Sequence, residues 1–130
     1  MLVTPAELVA AAKASITETT VSDFRHEDQG ACILIDLRDP DEFASGHLPG
    51  AICSPRGLLE FKIHDLVNTE AAGPDCAPEE TPIMLYCGTG GRSALAAQCL
   101  QAMGYNNVRS LAGGTVAWHA AGFPLESVCK

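Results

Sequence analysis

Cys87 stands in the run Cys87-Gly88-Thr89-Gly90-Gly91-Arg92-Ser93, between an apolar segment ending at Tyr86 and an amphipathic stretch that begins near Arg92 or Ser93. A cysteine is a nucleophile as its thiolate, and this setting favours the thiolate. The three glycines let the backbone wrap tightly and reach positive φ. Successive N–H groups in such a turn converge on one point and form an anion-binding nest. The following helix adds its own unpaired N–H groups and the positive end of its dipole. Arg92 keeps its charge at any working pH; it either fixes the loop or faces an anionic substrate. Ser93 either caps the helix or donates to a bound anion. A nucleotide-binding reading is poorer, because Gly-x-x-x-x-Gly-Lys-Ser/Thr is absent. An inert thiol at a tight turn would not require an arginine and a helix start beside the glycines.

The other chemistry-bearing residues are less concentrated. Six cysteines (Cys32, Cys53, Cys76, Cys87, Cys99 and Cys129) include no Cys-x-x-Cys pair, and their spacings do not resemble zinc ligands. His26, His64 and His119 have no carboxylate or cysteine at metal-like spacing and read as surface residues. Cys32, Cys53 and Cys99 fall in apolar or helical patterns and read as small buried hydrophobes. Cys76 and Cys129 read as the exposed thiols. A relay role for Cys76 is weaker than its reading as an incidental loop residue.

Elements must hold the loop in place. Thr4-Pro5-Ala6-Glu7 combines a cap, a proline at the first helical position and a capping-box glutamate, which predicts a helix over about 4–15. Ile16 to Val21 is β-branched and reads as a short extended segment; Ser22 to Gln29 reads as a short helix or loop. Ala31 to Leu37 is a continuous apolar run of the kind found in buried parallel strands. Asp39-Pro40 starts a short helix that Gly46 stops. Ala51 to Cys53 is a short strand, Gly57 to Val67 is helical by periodicity, and Asn68 to Glu80 is a loop. Pro82 to Tyr86 is a strand, Ser93 to Met103 an amphipathic helix, and Val108 to Leu111 the last strand. After a Gly113-Gly114 turn, Thr115 to Ala121 forms a final short helix ended by Gly122 and Pro124. Strands alternating with helices predict one α/β domain, with a parallel sheet and helices on both faces. In such sheets ligands bind beyond the carboxyl ends of the strands, and Cys87 lies one residue past such an end.

A chain of 130 residues fits a single domain spanning 1–130. Its 47% apolar content supplies a core without staples, so a disulfide framework is not expected. Sixteen acidic against eight basic residues give a formal charge of −8, and no Lys/Arg cluster exists, which argues against nucleic acid or anionic membrane as partners. Any anionic substrate needs a local positive field to overcome that background. No apolar run reaches membrane-spanning length and no secretion signal is present; with six thiols, this predicts a reducing, cytoplasmic setting.

Three stretches resemble the signatures of rhodanese-like sulfurtransferases. Leu34-Ile35-Asp36-Leu37-Arg38-Asp39-Pro40-Asp41-Glu42-Phe43, followed by Gly46-His47-Leu48-Pro49-Gly50-Ala51, resembles the first. Tyr86-Cys87-Gly88-Thr89-Gly90-Gly91-Arg92-Ser93-Ala94 resembles the active-site loop, and Leu111-Ala112-Gly113-Gly114 with Trp118 and Ala121-Gly122-Phe123-Pro124 resembles the last. The likeness spans residues 17 to 125 and implies a single rhodanese-like domain with a central parallel sheet of about four to five strands. It implies a chemistry too: Cys87 accepts a sulfane sulfur as a persulfide and passes it to a thiophilic acceptor, cyanide in assays or a thiol in cells. The donor would be a small anion such as thiosulfate or mercaptopyruvate, and a sulfur-relay protein is a possible partner. No metal or organic cofactor is required. The six residues from Cys87 to Arg92 resemble the family's loop length; the related cell-cycle phosphatases and arsenate reductases use a loop one residue longer, which disfavours phosphatase activity. A non-catalytic interaction module and a sulfur carrier serving cofactor or tRNA biosynthesis are the alternatives of the same fold.

The resemblance also places supporting residues. Asp36 matches a structural aspartate. Arg38 matches an arginine near the active face, and the sequence pairs it with Glu42 or leaves both solvated. His47 matches a histidine that is structural, and a persulfide mechanism does not need it as a base. Apart from the resemblance, Arg56 follows a short strand and is expected to line the pocket, because loops at that end of the sheet gather around the site. Trp118 reads as core.

Overall fold

A computed structural model describes residues 1–70 and 77–128. Five strands form one fully parallel sheet: β1 (Thr17–Thr19), β2 (Ile33–Asp36), β3 (Ile52–Cys53), β4 (Ile83–Tyr86) and β5 (Val108–Leu111), in the spatial order β1-β5-β4-β2-β3. The helices are α1 (Pro5–Lys13), α2 (Val21–Arg25), α3 (Pro40–Ser45), α4 (Leu59–Glu70), α5 (Gly91–Ala102) and α6 (Gly114–Ala120).

The sheet is buried on both faces, as parallel sheets are. Ile33 and Ile35 of β2 and Ile83 and Leu85 of β4 face one side, where they pack on Leu59, Ile63 and Val67 of α4 and on Ala96, Ala97 and Leu100 of α5. The alternating residues Leu34, Met84 and Tyr86 face the other, where Phe24 of α2 and Trp118 of α6 close over them. Trp118 is fully buried, as expected of a core residue, and its indole N–H donates to the Pro124 carbonyl at 2.8 Å.

Predicted elements recur with shifted ends. Thr4 caps α1 and exchanges hydrogen bonds with Glu7 at 3.1 and 3.2 Å. The first strand stops at Thr19, because the Thr20 hydroxyl accepts from the Asp23 N–H and starts α2 at Val21. Helix α4 runs on to Glu70, through residues expected to be loop. Helix α5 lies between the sheet and α1, so its buried arc falls on Ala94, Ala96, Ala97 and Leu100, whereas Met103 is exposed. Cys32, Cys53 and Cys99, expected to be buried, are each only partly so; all are free thiols. Cys76 and Cys129 lie outside the described residues.

The topology fixes where a ligand can bind. From β2 the chain moves outward to the edge strand β3, then returns to β4 on the other side of β2 and continues outward to β5. The direction of winding reverses between β2 and β4, and the crevice of a parallel sheet opens at that switch point, beyond the strand ends. Asp36 and Tyr86, the last residues of β2 and β4, are register partners there. Cys87 follows directly.

Candidate active site

The Cys87 side chain lies at the bottom of a cup, with 1% of the residue exposed. Gly90 takes φ +101° and turns the chain so that its own N–H points at Sγ, 3.1 Å away. The same left-handed residue caps α5, so the helix begins at Gly91, earlier than the sequence pattern suggested. Ser93 is therefore the third helical residue and not the cap. Its hydroxyl turns inward, 3.7 Å from Sγ, and shares a 2.7 Å hydrogen bond with Ser110 of β5. Burial raises the Cys87 pKa, but the N–H and hydroxyl of Ser93 and the N–H groups of Gly90 and Thr89 more than offset it. The thiol is held below its ordinary range.

The cup is shaped from outside by the start of α6. The Thr115 N–H donates to the Cys87 carbonyl and the Val116 N–H to the Gly88 carbonyl, both at 3.0 Å. These bonds hold two loop carbonyls against the start of α6. The approach is so close that a Cβ on Gly114, which has φ +53°, would stand 2.2 Å from the Cys87 oxygen and 2.7 Å from that of Gly88. Gly113-Gly114, a turn by its residue types and part of the last signature stretch, carries this clamp, which spacing alone does not reveal, and the same holds for Ser110. A second glycine pair ahead of a helix was the one signal available; nothing in the chain marks Ser110.

Arg92 rises from the first turn of α5. One guanidinium nitrogen lies 3.5 Å from where a Cβ on Gly88 would sit, and another is 3.5 Å from Glu42 of α3. Neither alternative offered for Arg38 and Glu42, a mutual pair or two solvated charges, is what the structure holds. Arg38 instead takes the fully buried Asp36 carboxylate at 2.7 Å and the Gly46 carbonyl at 2.6 Å. A buried carboxylate demands a charged partner, and Asp36 is two residues from Arg38, whereas Glu42 is already engaged by the Asp39 N–H at 3.1 Å and by Arg92. Tyr86 joins the network: its hydroxyl accepts from the Leu48 N–H at 3.0 Å, and burial with hydrogen bonding to Asp36 raises its pKa far above the ordinary range. Asp36 and Arg38 thus fasten the strand ends beneath the loop.

Two expected residues stand apart. His47 bonds the Phe43 carbonyl through Nδ1 at 2.8 Å, stacks on the Phe43 ring and bridges to Glu126 through its backbone, so its contacts are structural. Arg56, expected in the pocket, pairs with Glu60 at 2.8 Å, one turn further along, and donates to Cys99 Sγ at 3.2 Å. Its guanidinium is held on the α4–α5 side. Gly88, Thr89, Gly90, Gly91, Arg92 and Ser93 all belong to the cup or its rim. No cluster of three or more His, Cys, Asp or Glu suited to a metal exists among the described residues.

The site thus defines a parallel α/β domain with a buried thiol at the switch point of its sheet, faced by N–H groups of its own loop. The chain belongs to the rhodanese-like domain family, which its sequence matches over residues 20–121. A sulfurtransferase from Allochromatium vinosum is 31% identical over 101 residues, 78% of this chain and 84% of that protein. The polysulfide-sulfur transferase of Wolinella succinogenes, a homodimer, superposes with a TM-score of 0.67 at 29% identity, over 92% of this chain and 85% of its own. A Rhodopseudomonas palustris protein of unknown function, described as a possible tyrosine phosphatase, superposes with a TM-score of 0.77 at 32% identity, over 97% of this chain and 96% of its own. No described helix is long and apolar enough to cross a membrane.

Proposed function

We propose that this protein is a sulfurtransferase that carries sulfane sulfur as a persulfide on Cys87. The observation that carries the reading is the N–H and hydroxyl cup around Sγ, which favours an anion at that point without a histidine. In the first half-reaction the Cys87 thiolate attacks the outer sulfur of a donor such as thiosulfate. The new S–S bond forms as the donor's S–S bond breaks, and sulfite leaves with the electron pair. The terminal persulfide sulfur carries the negative charge, and preorganised N–H donors hold such charge with little reorganisation. In the second half-reaction an acceptor thiolate or cyanide attacks that sulfur and Cys87 leaves as thiolate. No proton has to move, so no general base is needed. The Allochromatium and Wolinella relatives support sulfur transfer as the reaction class.

Phosphatase chemistry is the weaker reading despite the Rhodopseudomonas neighbour. A phosphatase needs an acid to protonate the leaving alcohol, and the carboxylates beside the loop, Asp36 and Glu42, are bound to Arg38 and Arg92. Intact-mass measurement after incubation with thiosulfate tests the proposal. One added sulfur atom, removed by cyanide and absent in Cys87→Ser, is the expected result. No adduct from thiosulfate, mercaptopyruvate or polysulfide, or turnover of an aryl phosphate, overturns it.

A further inference from the structure

The cations around the Cys87 cup are already taken by carboxylates. Arg92 lies over Gly88 and pairs with Glu42. Arg38 is tied to Asp36 beneath the loop. Lys13, which lines the groove between α1 and the Thr89–Gly91 rim, lies 3.8 Å from Glu18. Glu42 is unlike the other two carboxylates. Asp36 is buried scaffold, and Glu18 sits on the edge strand β1, whereas Glu42 and Arg92 are 43% and 44% exposed at the mouth of the cup. The Glu42 Oε1 also accepts from the Asp39 N–H at the start of α3, which fixes the carboxylate in place before any substrate arrives.

Resting on the sulfurtransferase reading, we propose that Glu42 sets donor selectivity: by neutralising Arg92 it handicaps dianionic donors and favours sulfane donors carrying a single negative charge. Thiosulfate brings two charges to a thiolate, so the encounter gathers three beside a loop whose own cation is cancelled, in a protein of formal charge −8. A monoanionic donor of the same chemistry, methanethiosulfonate, gathers two. Each reaction balances: the Cys87 thiolate takes the outer sulfur as persulfide, and sulfite or methanesulfinate leaves with the bonding pair.

The test is Glu42→Gln, whose amide oxygen retains the bond to the Asp39 N–H while the charge is removed; a thermal melt confirms folding. At low ionic strength the kcat/KM for thiosulfate should rise about three- to tenfold, mainly through KM, and the gain should shrink as salt screens it. For methanethiosulfonate the gain should be about the square root of that factor, because half the donor charge is involved. Adding Arg92→Gln to Glu42→Gln should abolish the thiosulfate gain. Equal gains for both donors, no gain, or a loss for thiosulfate would overturn the selectivity role while leaving sulfur transfer intact. Absence of a sulfur adduct from both donors, in wild type and variant alike, would instead overturn the sulfurtransferase reading and this inference with it.

Discussion

Replacing Gly114 by alanine tests whether the start of α6 shapes the nucleophile. Its φ of +53° is left-handed, which disfavours alanine by about 1–2 kcal/mol. The larger problem is space. The added methyl would stand 2.2 Å from the Cys87 carbonyl oxygen, a separation that only movement of the backbone relieves. Moving it breaks the Thr115 and Val116 N–H bonds to the Cys87 and Gly88 carbonyls, at about 1 kcal/mol each. The total is about 3–4 kcal/mol, a fall in melting midpoint of roughly 10–15 °C for a domain of this size. Gly122→Ala is the matched control: φ is +82° but nothing lies within 4 Å of the new Cβ, so only the conformational part should appear. Released carbonyls would also let the cup open, so surviving folded Gly114→Ala should take up sulfur slowly and alkylate with a raised thiol pKa. Chemical denaturation, intact-mass sulfur loading and pH-dependent alkylation read these effects. If Gly114→Ala melts within a few degrees of Gly122→Ala and loads sulfur at the wild-type rate, the clamp does not shape the loop.

Ser93→Ala removes a hydroxyl that helps hold the Cys87 thiol below its ordinary range, and should raise its alkylation pKa. The folded thiol pKa is depressed, so Cys87 adds stability that is fully present above the unfolded thiol pKa and is lost as pH falls through the folded value. Cys87→Ser should therefore flatten the rise in stability across that window in urea titrations; an unchanged slope would contradict the depressed pKa. Asp36→Asn leaves the Arg38 guanidinium, in a residue only 7% exposed, without its counter-charge, and should destabilise by about 3–5 kcal/mol in denaturant melts. Arg56→Ala, whose contacts are with Glu60 and Cys99, should leave the kcat of sulfur transfer within about twofold; a loss beyond tenfold would return Arg56 to the site.

Local chemistry made much of this molecule legible in the chain. The apolar runs ending at Asp36 and Tyr86 are strands because both faces of the sheet are covered, so no alternation was needed to recognise them. Cys87 was legible because its neighbours in space are its neighbours in sequence: Thr89, Gly90 and Ser93 surround their own loop's thiol. What sequence hid was contact across distance. Ser110 reaches Ser93 from another strand, and Thr115 reaches the Cys87 carbonyl only after β5 has been laid beside β4. The choice of Asp36 over Glu42 as the partner of Arg38 was decided by burial, which spacing does not reveal. The capping role passed from Ser93 to Gly90 because a left-handed turn shortened the loop.

The clamp from Thr115 and Val116 has a consequence in time. It joins carbonyls to N–H groups 28 residues later in the chain (Cys87 to Thr115, Gly88 to Val116), contributed by α6, which follows β5. A chain that has presented Cys87 but not yet α6 holds a loop whose Cys87 and Gly88 carbonyls lack these two N–H partners. The loop's last two anchors therefore arrive only once β5 and α6 are in place, so its final shape depends on residues made well after the thiol.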